Sequence, residues 1–149
     1  MSTRRSTQIG KFTARVVSWM FLGLAAAMGL CAVAPYLADV SGFSETPFQR
    51  ADLMTMAVSA GLTAALGLAL GFYSRSLDLK KQQVRRRDAV VIVTLIWASV
   101  TLVGTLPYIL GTDISMSDAL FESASGFTTT GATIFTHIED TVPRPLLLW

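Results

Sequence analysis

Charge is what this sequence has least of. Only 15% of its 149 residues are Asp, Glu, Lys or Arg, whereas a water-soluble domain carries about 25%. A single domain of this length has too little charge to coat a water-facing surface, and the mean hydropathy of +0.52 points the same way. Cysteine and histidine are nearly missing too, and each absence removes a class of function. A single cysteine, Cys31, rules out an internal disulfide framework, and a single histidine, His137, leaves no Cys/His metal site. With one histidine, no nucleophile–base–orienting group can be assembled from the many serines and threonines. No glycine loop suited to phosphates is present, and the basic residues lack interleaved aromatics for nucleic acid. The sequence therefore reads as neither an enzyme nor a nucleic-acid binder, and as needing no cofactor.

What is present is long apolar runs. Three reach the roughly 20 residues that cross a hydrocarbon core: Val16–Ala38, Leu53–Tyr73 and Ala89–Leu110. None contains Asp, Glu, Lys or Arg. Hydrocarbon offers no partner to unpaired backbone groups, so these runs must be helices. "AVA" at Ala32–Ala34 resembles a signal-peptidase site. Pro35 directly after it and the length of the run favour a retained span. Cys31, inside that span, reads as a small apolar residue. Gly67 and Gly71 form a GxxxG spacing, read first as helix packing within the chain.

The few charges are sorted by sign and place. Arg4, Arg5, Lys11 and Arg15 precede the first run, and Arg75, Lys80, Lys81, Arg85, Arg86 and Arg87 lie between the second and third. The other two flanks hold only Arg50 and Arg144. The positive-inside rule then puts residues 1–15 and the basic loop in the cytoplasm, and residues 39–52 and the chain after Leu110 outside. The basic loop mainly sets topology, and it also suits anionic lipid.

The segment beyond the third run carries the candidate chemistry. Ser115 with Asp118 three positions on resembles a capping box, and Ala119, Leu120, Phe121 and Ala124 supply apolar contacts. Gly126 is a natural stop. About ten residues of helix, roughly 15 Å, are too short to span a bilayer and long enough to dip half-way in as a re-entrant pore helix. "TTTGAT" at 128–133 follows. The β-branched threonines favour extended backbone, and Gly131 permits dihedrals closed to other residues. A column of inward carbonyl oxygens of this kind replaces the water shell of a dehydrated alkali cation. Glu122 reads first as a brace for that backbone and second as negative potential near a cation path. Asp113 and Asp118 read as helix-capping residues before cation attractors. His137, Glu139 and Asp140 lie in a polar stretch that lacks a metal-ligand set.

Gly104 to Phe135, "GTLPYILGTDISMSDALFESASGFTTTGATIF", closely resembles the first pore repeat of the TrkH/TrkG/KtrB superfamily of bacterial potassium transporters. The two earlier spans are similar to that superfamily's extra N-terminal helix pair. The resemblance implies an all-α membrane protein in the bacterial inner membrane: three transmembrane helices, then a re-entrant pore helix and an extended filter loop. It divides the chain into a cytoplasmic N-terminus (1–15), a helix pair with a basic cytoplasmic loop (16–88), and the first half of a membrane–pore–membrane repeat (89–149). It implies potassium uptake, with Gly131 at the filter centre and backbone carbonyls of Thr129, Thr130, Gly131 and Ala132 facing the ion. Potassium would be held chiefly through Thr130 and Gly131, with Thr128, Thr133 and Glu122 in support. It also implies a homodimer and a cytoplasmic TrkA-type nucleotide-binding partner. A complete superfamily member carries four such repeats, and one pore segment is present here. The expectation is therefore an N-terminal fragment that supplies one of four filter segments; the alternative is a non-conducting three-span module or an inactive remnant.

Overall fold

In the computed structural model the chain is described at residues 2–41, 50–76, 85–136 and 142–149. The polar stretch with His137, Glu139 and Asp140 and most of the basic loop lie outside the described residues. Six helices are present among them, and no strand: α1 (Ser2–Val40), α2 (Arg50–Tyr73), α3 (Arg86–Gly104), α4 (Leu106–Gly111), α5 (Met116–Phe127) and α6 (Arg144–Leu148). Three stretches are long and apolar enough to cross a membrane: Ile9–Ala38, Asp52–Tyr73 and Arg86–Gly111. They match the three predicted runs. Large apolar side chains on their outward faces, such as Trp19, Leu30, Phe72 and Val90, are exposed. Such faces cost nothing in lipid, where no hydrophobic force drives them inward.

Antiparallel α1 and α2 form a tight hairpin. Near its middle Gly67 lies against α1, where an added Cβ would sit 3.1 Å from Phe21 Cβ and 3.3 Å from the Ser18 carbonyl. The Ser18 hydroxyl donates to the Gly67 carbonyl at 2.7 Å. A Cβ on Gly71 would come within 2.8 Å of Ser18 Oγ. The GxxxG pair thus packs within the chain, its missing side chains letting the two backbones close up. At one end of the hairpin the Arg15 guanidinium donates to the Ser74 carbonyl (2.7 Å) and Lys11 Nζ to Ser76 Oγ (2.7 Å). Cations there complement the negative end of the α2 dipole. At the other end Met28 and Ala32 of α1 pack with Met56 of α2 and with Val142 and Leu146.

The third span is broken at Thr105, a feature absent from the single predicted run Ala89–Leu110. Pro107 has no N–H to donate back to Val103, and its ring crowds the preceding turn. Thr105 closes the break: its N–H and hydroxyl both reach the Leu102 carbonyl, the hydroxyl at 2.6 Å. Helix α4 then carries the chain to Gly111, which lies close to Thr55 near the start of α2. The C-terminal end of the third span therefore meets the start of α2. Its beginning, with Arg85, Arg86 and Arg87, lies at the same end as Lys11, Arg15 and Arg75.

Candidate ion-conduction site

Helix α5 starts where the sequence predicts. Ser115 is the N-cap: its hydroxyl accepts the Asp118 N–H at 3.2 Å and donates to the Asp118 carboxylate at 2.7 Å. This satisfies one of the helix's orphan donors and places a carboxylate in the first turn. Asp118 is therefore engaged in capping.

From Ser115 the helix runs back along α3. The Ser123 hydroxyl donates to the Thr101 carbonyl at 2.7 Å. Gly104 makes this contact possible, since an added Cβ would come within 2.5 Å of both Phe127 Cε2 and Ser123 Oγ. Phe127 borders a gap also lined by Met20 and Leu24 of α1 and by Val93, Ile96, Trp97 and Val100 of α3. Thr128 shares a groove with Thr94 and Trp97. Met20 and Leu24 bracket the middle of Ile9–Ala38, and Val93 and Val100 bracket that of Arg86–Gly111. The last turn of α5 thus lies beside the midpoints of two apolar spans. Its 12 residues measure about 18 Å along the axis.

The end of α5 departs from the predicted stop and from the predicted extended backbone. The helix passes through Gly126 to Phe127. Thr128 stays near-helical (φ −85°, ψ 3°), and Thr129 takes the left-handed conformation at φ +55°. The Thr129 N–H then donates to the Gly126 carbonyl (3.1 Å) and the Thr130 N–H to the Ser125 carbonyl (3.0 Å). This is a Schellman cap with a threonine where glycine is usual. A β-branched residue at positive φ is strained, by about 1–3 kcal/mol. The threonine run is therefore a helix cap for its first two residues, and the loop proper begins at Thr130. Gly131 follows at φ +70° with nothing within 4 Å of where a Cβ would lie. It is needed for its dihedrals, as the sequence suggests.

Helix α5 also holds the outgoing chain. One carboxylate oxygen of Glu122 accepts both the Thr133 hydroxyl (2.8 Å) and the Ile134 N–H (2.6 Å). The Thr133 hydroxyl in turn accepts the Phe135 N–H at 3.1 Å. The Ser125 hydroxyl donates to the Ala132 carbonyl at 2.6 Å. Thr128 and Thr130 join hydroxyls at 2.8 Å, and the Thr129 hydroxyl donates to the Thr128 carbonyl at 2.7 Å. Among the described residues, no hydrogen bond reaches the carbonyls of Thr129, Thr130 or Gly131, and residues 128–134 are exposed. The helix thus binds the chain on either side of these three carbonyls. Asp113 is exposed at the start of the segment. No group of three or more His, Cys, Asp or Glu side chains that could hold a metal ion occurs among the described residues.

Three contributors were not named from the sequence. Ser123 and Ser125 are unremarkable in "ESASG", and only their opposite directions, to α3 and to the loop, reveal their work. Trp149 is the third. Its indole N–H donates to the Gly104 carbonyl at 3.2 Å, and its ring meets Phe127 edge-on at 5.9 Å. Helix α6 thus wedges between the loop and the α3–α4 break.

Residues 54–149 match the family model described as TrkH, cation transport protein. The chain belongs to the TrkH family. It is 37% identical over 94 residues to the Trk system potassium uptake protein TrkH of Halomonas elongata, an alignment that covers 62% of this chain and 19% of that protein. It is similar to TrkH of Escherichia coli K12, 36% identical over 87 residues (57% of this chain, 17% of the relative). It is also similar to TrkG of the same organism, 33% identical over 69 residues (45% and 14%). The chain thus spans less than a fifth of the length of these TrkH-family relatives. No solved structure matches it.

Proposed function

We propose that this chain takes part in potassium uptake across the bacterial inner membrane and contributes one selectivity-filter segment to the ion path. Helix α5 is the re-entrant pore helix, and the backbone carbonyls of Thr129, Thr130 and Gly131 face the ion. The observation that carries this reading is the pairing of depth with carbonyl availability. The helix ends beside the centres of α1 and α3, and among the described residues no hydrogen bond reaches the three carbonyls after it. Non-helical backbone at mid-membrane depth is tolerated only where protein buries it or water reaches it. Bare carbonyls there suit a cation stripped of its water, which neutral dipoles hold well enough to admit and loosely enough to release. The C-terminal dipole of α5 adds about half a negative charge at the same place. Thr128 and Thr133 support the segment through the cap and the Glu122 link.

The basic ends of α1, α2 and α3 face the cytoplasm by the positive-inside rule. They lie on the side where a TrkA-type nucleotide-binding subunit would dock on a homodimeric transporter. The names of the relatives support potassium as the transported ion. The reading is tested in the full-length transporter carrying this segment, expressed in cells that lack other potassium uptake. Gly131→Ser is expected to reduce uptake or the preference for potassium over sodium. Unchanged uptake and preference would refute the filter assignment.

A further inference from the structure

Ser125 touches the loop twice. Its carbonyl accepts the Thr130 N–H at 3.0 Å, and its hydroxyl donates to the Ala132 carbonyl at 2.6 Å. Gly131 lies between, at φ +70°, so one helical residue grips both sides of the reversal. Ser125 is 6% exposed. The Ser125 hydroxyl is buried, so leaving it without the Ala132 carbonyl costs it a hydrogen bond, and at 2.6 Å that bond fixes the direction of the oxygen it meets.

We propose that the Ser125 hydroxyl turns the Ala132 carbonyl back toward α5 and ends the row of ion-facing oxygens at Gly131. Ser125 is then a positioning residue for selectivity: it sets how many backbone oxygens this segment offers to a monovalent cation. The proposal rests on the potassium-uptake reading and changes one part of it, since Ala132 is expected from the sequence to face the ion. Discrimination between potassium and sodium depends on the number and disposition of coordinating carbonyls. Releasing a fourth oxygen, on a loop that has lost one of its two ties to Ser125, lets the ring close around the smaller ion. Glu122 does not replace the lost tie, because its bonds go to Thr133 and Ile134, further along the chain.

The test compares Ser125→Ala, Ser125→Cys and Ser125→Thr in the full-length transporter carrying this segment. Potassium and sodium uptake are measured in the same cells at equal amounts of membrane-inserted protein. The potassium-to-sodium ratio is expected to fall about threefold to tenfold in the alanine and cysteine variants. The threonine variant, which keeps the hydroxyl, is expected to restore the ratio. An unchanged ratio in Ser125→Ala overturns the proposal. An equal loss of both ions overturns it too, because that is a packing defect rather than a change in coordination. A fallen ratio that threonine leaves unrepaired rejects the hydroxyl as the cause. A wild-type transporter that moves no potassium overturns this inference together with the functional reading, whereas the other failures leave that reading intact.

Discussion

Replacing Glu122 separates its two possible roles, brace and source of potential. One oxygen of its carboxylate accepts two hydrogen bonds, at 2.8 Å from the Thr133 hydroxyl and 2.6 Å from the Ile134 N–H. The residue is 8% exposed, so the carboxylate itself is largely shielded from water. Each hydrogen bond to a charged acceptor contributes about 1.5–3 kcal/mol, so the pair holds the outgoing chain by about 3–6 kcal/mol at most. Glu122→Ala removes the acceptor of both donors and with it the tie between the loop and α5. Glu122→Gln keeps an oxygen of the same reach, although a neutral acceptor is roughly half as strong. If Glu122 is a brace, glutamine should retain most of the potassium uptake of the full-length transporter and alanine should lose most of it. Uptake at several external potassium concentrations, with the membrane-inserted protein quantified alongside, measures both. A glutamine variant as impaired as alanine would refute the brace and show that the negative charge itself acts on the ion. Wild-type behaviour in Glu122→Ala would refute any role for the residue in holding the loop.

Two glycines should fail for different reasons. Gly104→Ala keeps helical dihedrals but drives a methyl within 2.5 Å of Phe127 and Ser123, so it should cost about 1–3 kcal/mol by overpacking; denaturant unfolding in detergent measures this, and an added Ser123→Ala should recover part of it. Gly131 has open space around it and φ +70°, so its substitutions should be ranked by backbone strain, with asparagine milder than alanine and valine worst. Potassium uptake by the three variants checks the order, and a ranking by side-chain size alone would contradict it.

The path of the loop was only partly legible in the sequence. Branching at Thr128, Thr129 and Thr130 favours extended backbone when each residue is taken singly, yet Thr129 is held at φ +55°. The reason lies outside the residue. Its N–H and that of Thr130 close the last turn of α5 on the Gly126 and Ser125 carbonyls, and those bonds offset a strain of comparable size. Gly126, the apparent stop, is passed because Thr129 supplies the cap instead. The break at Thr105 was readable in principle from Pro107, since the loss of an N–H is a purely local property.

The chain by itself determined the spans and the start of α5, and its charges give an expected direction for the spans. Burial in hydrocarbon depends on the length of an apolar run, orientation on which flanks hold Lys and Arg, and an N-cap on residues three apart. All three are properties of neighbours in the sequence. Folding decided which oxygens stay bare. Ser125 reaches Ala132, Glu122 reaches Thr133 and Ile134, and Ser123 reaches Thr101 across 22 positions. A carbonyl has no preference written in its own residue type. Whether it meets a hydroxyl, an N–H or an ion depends on what the packed helices bring beside it.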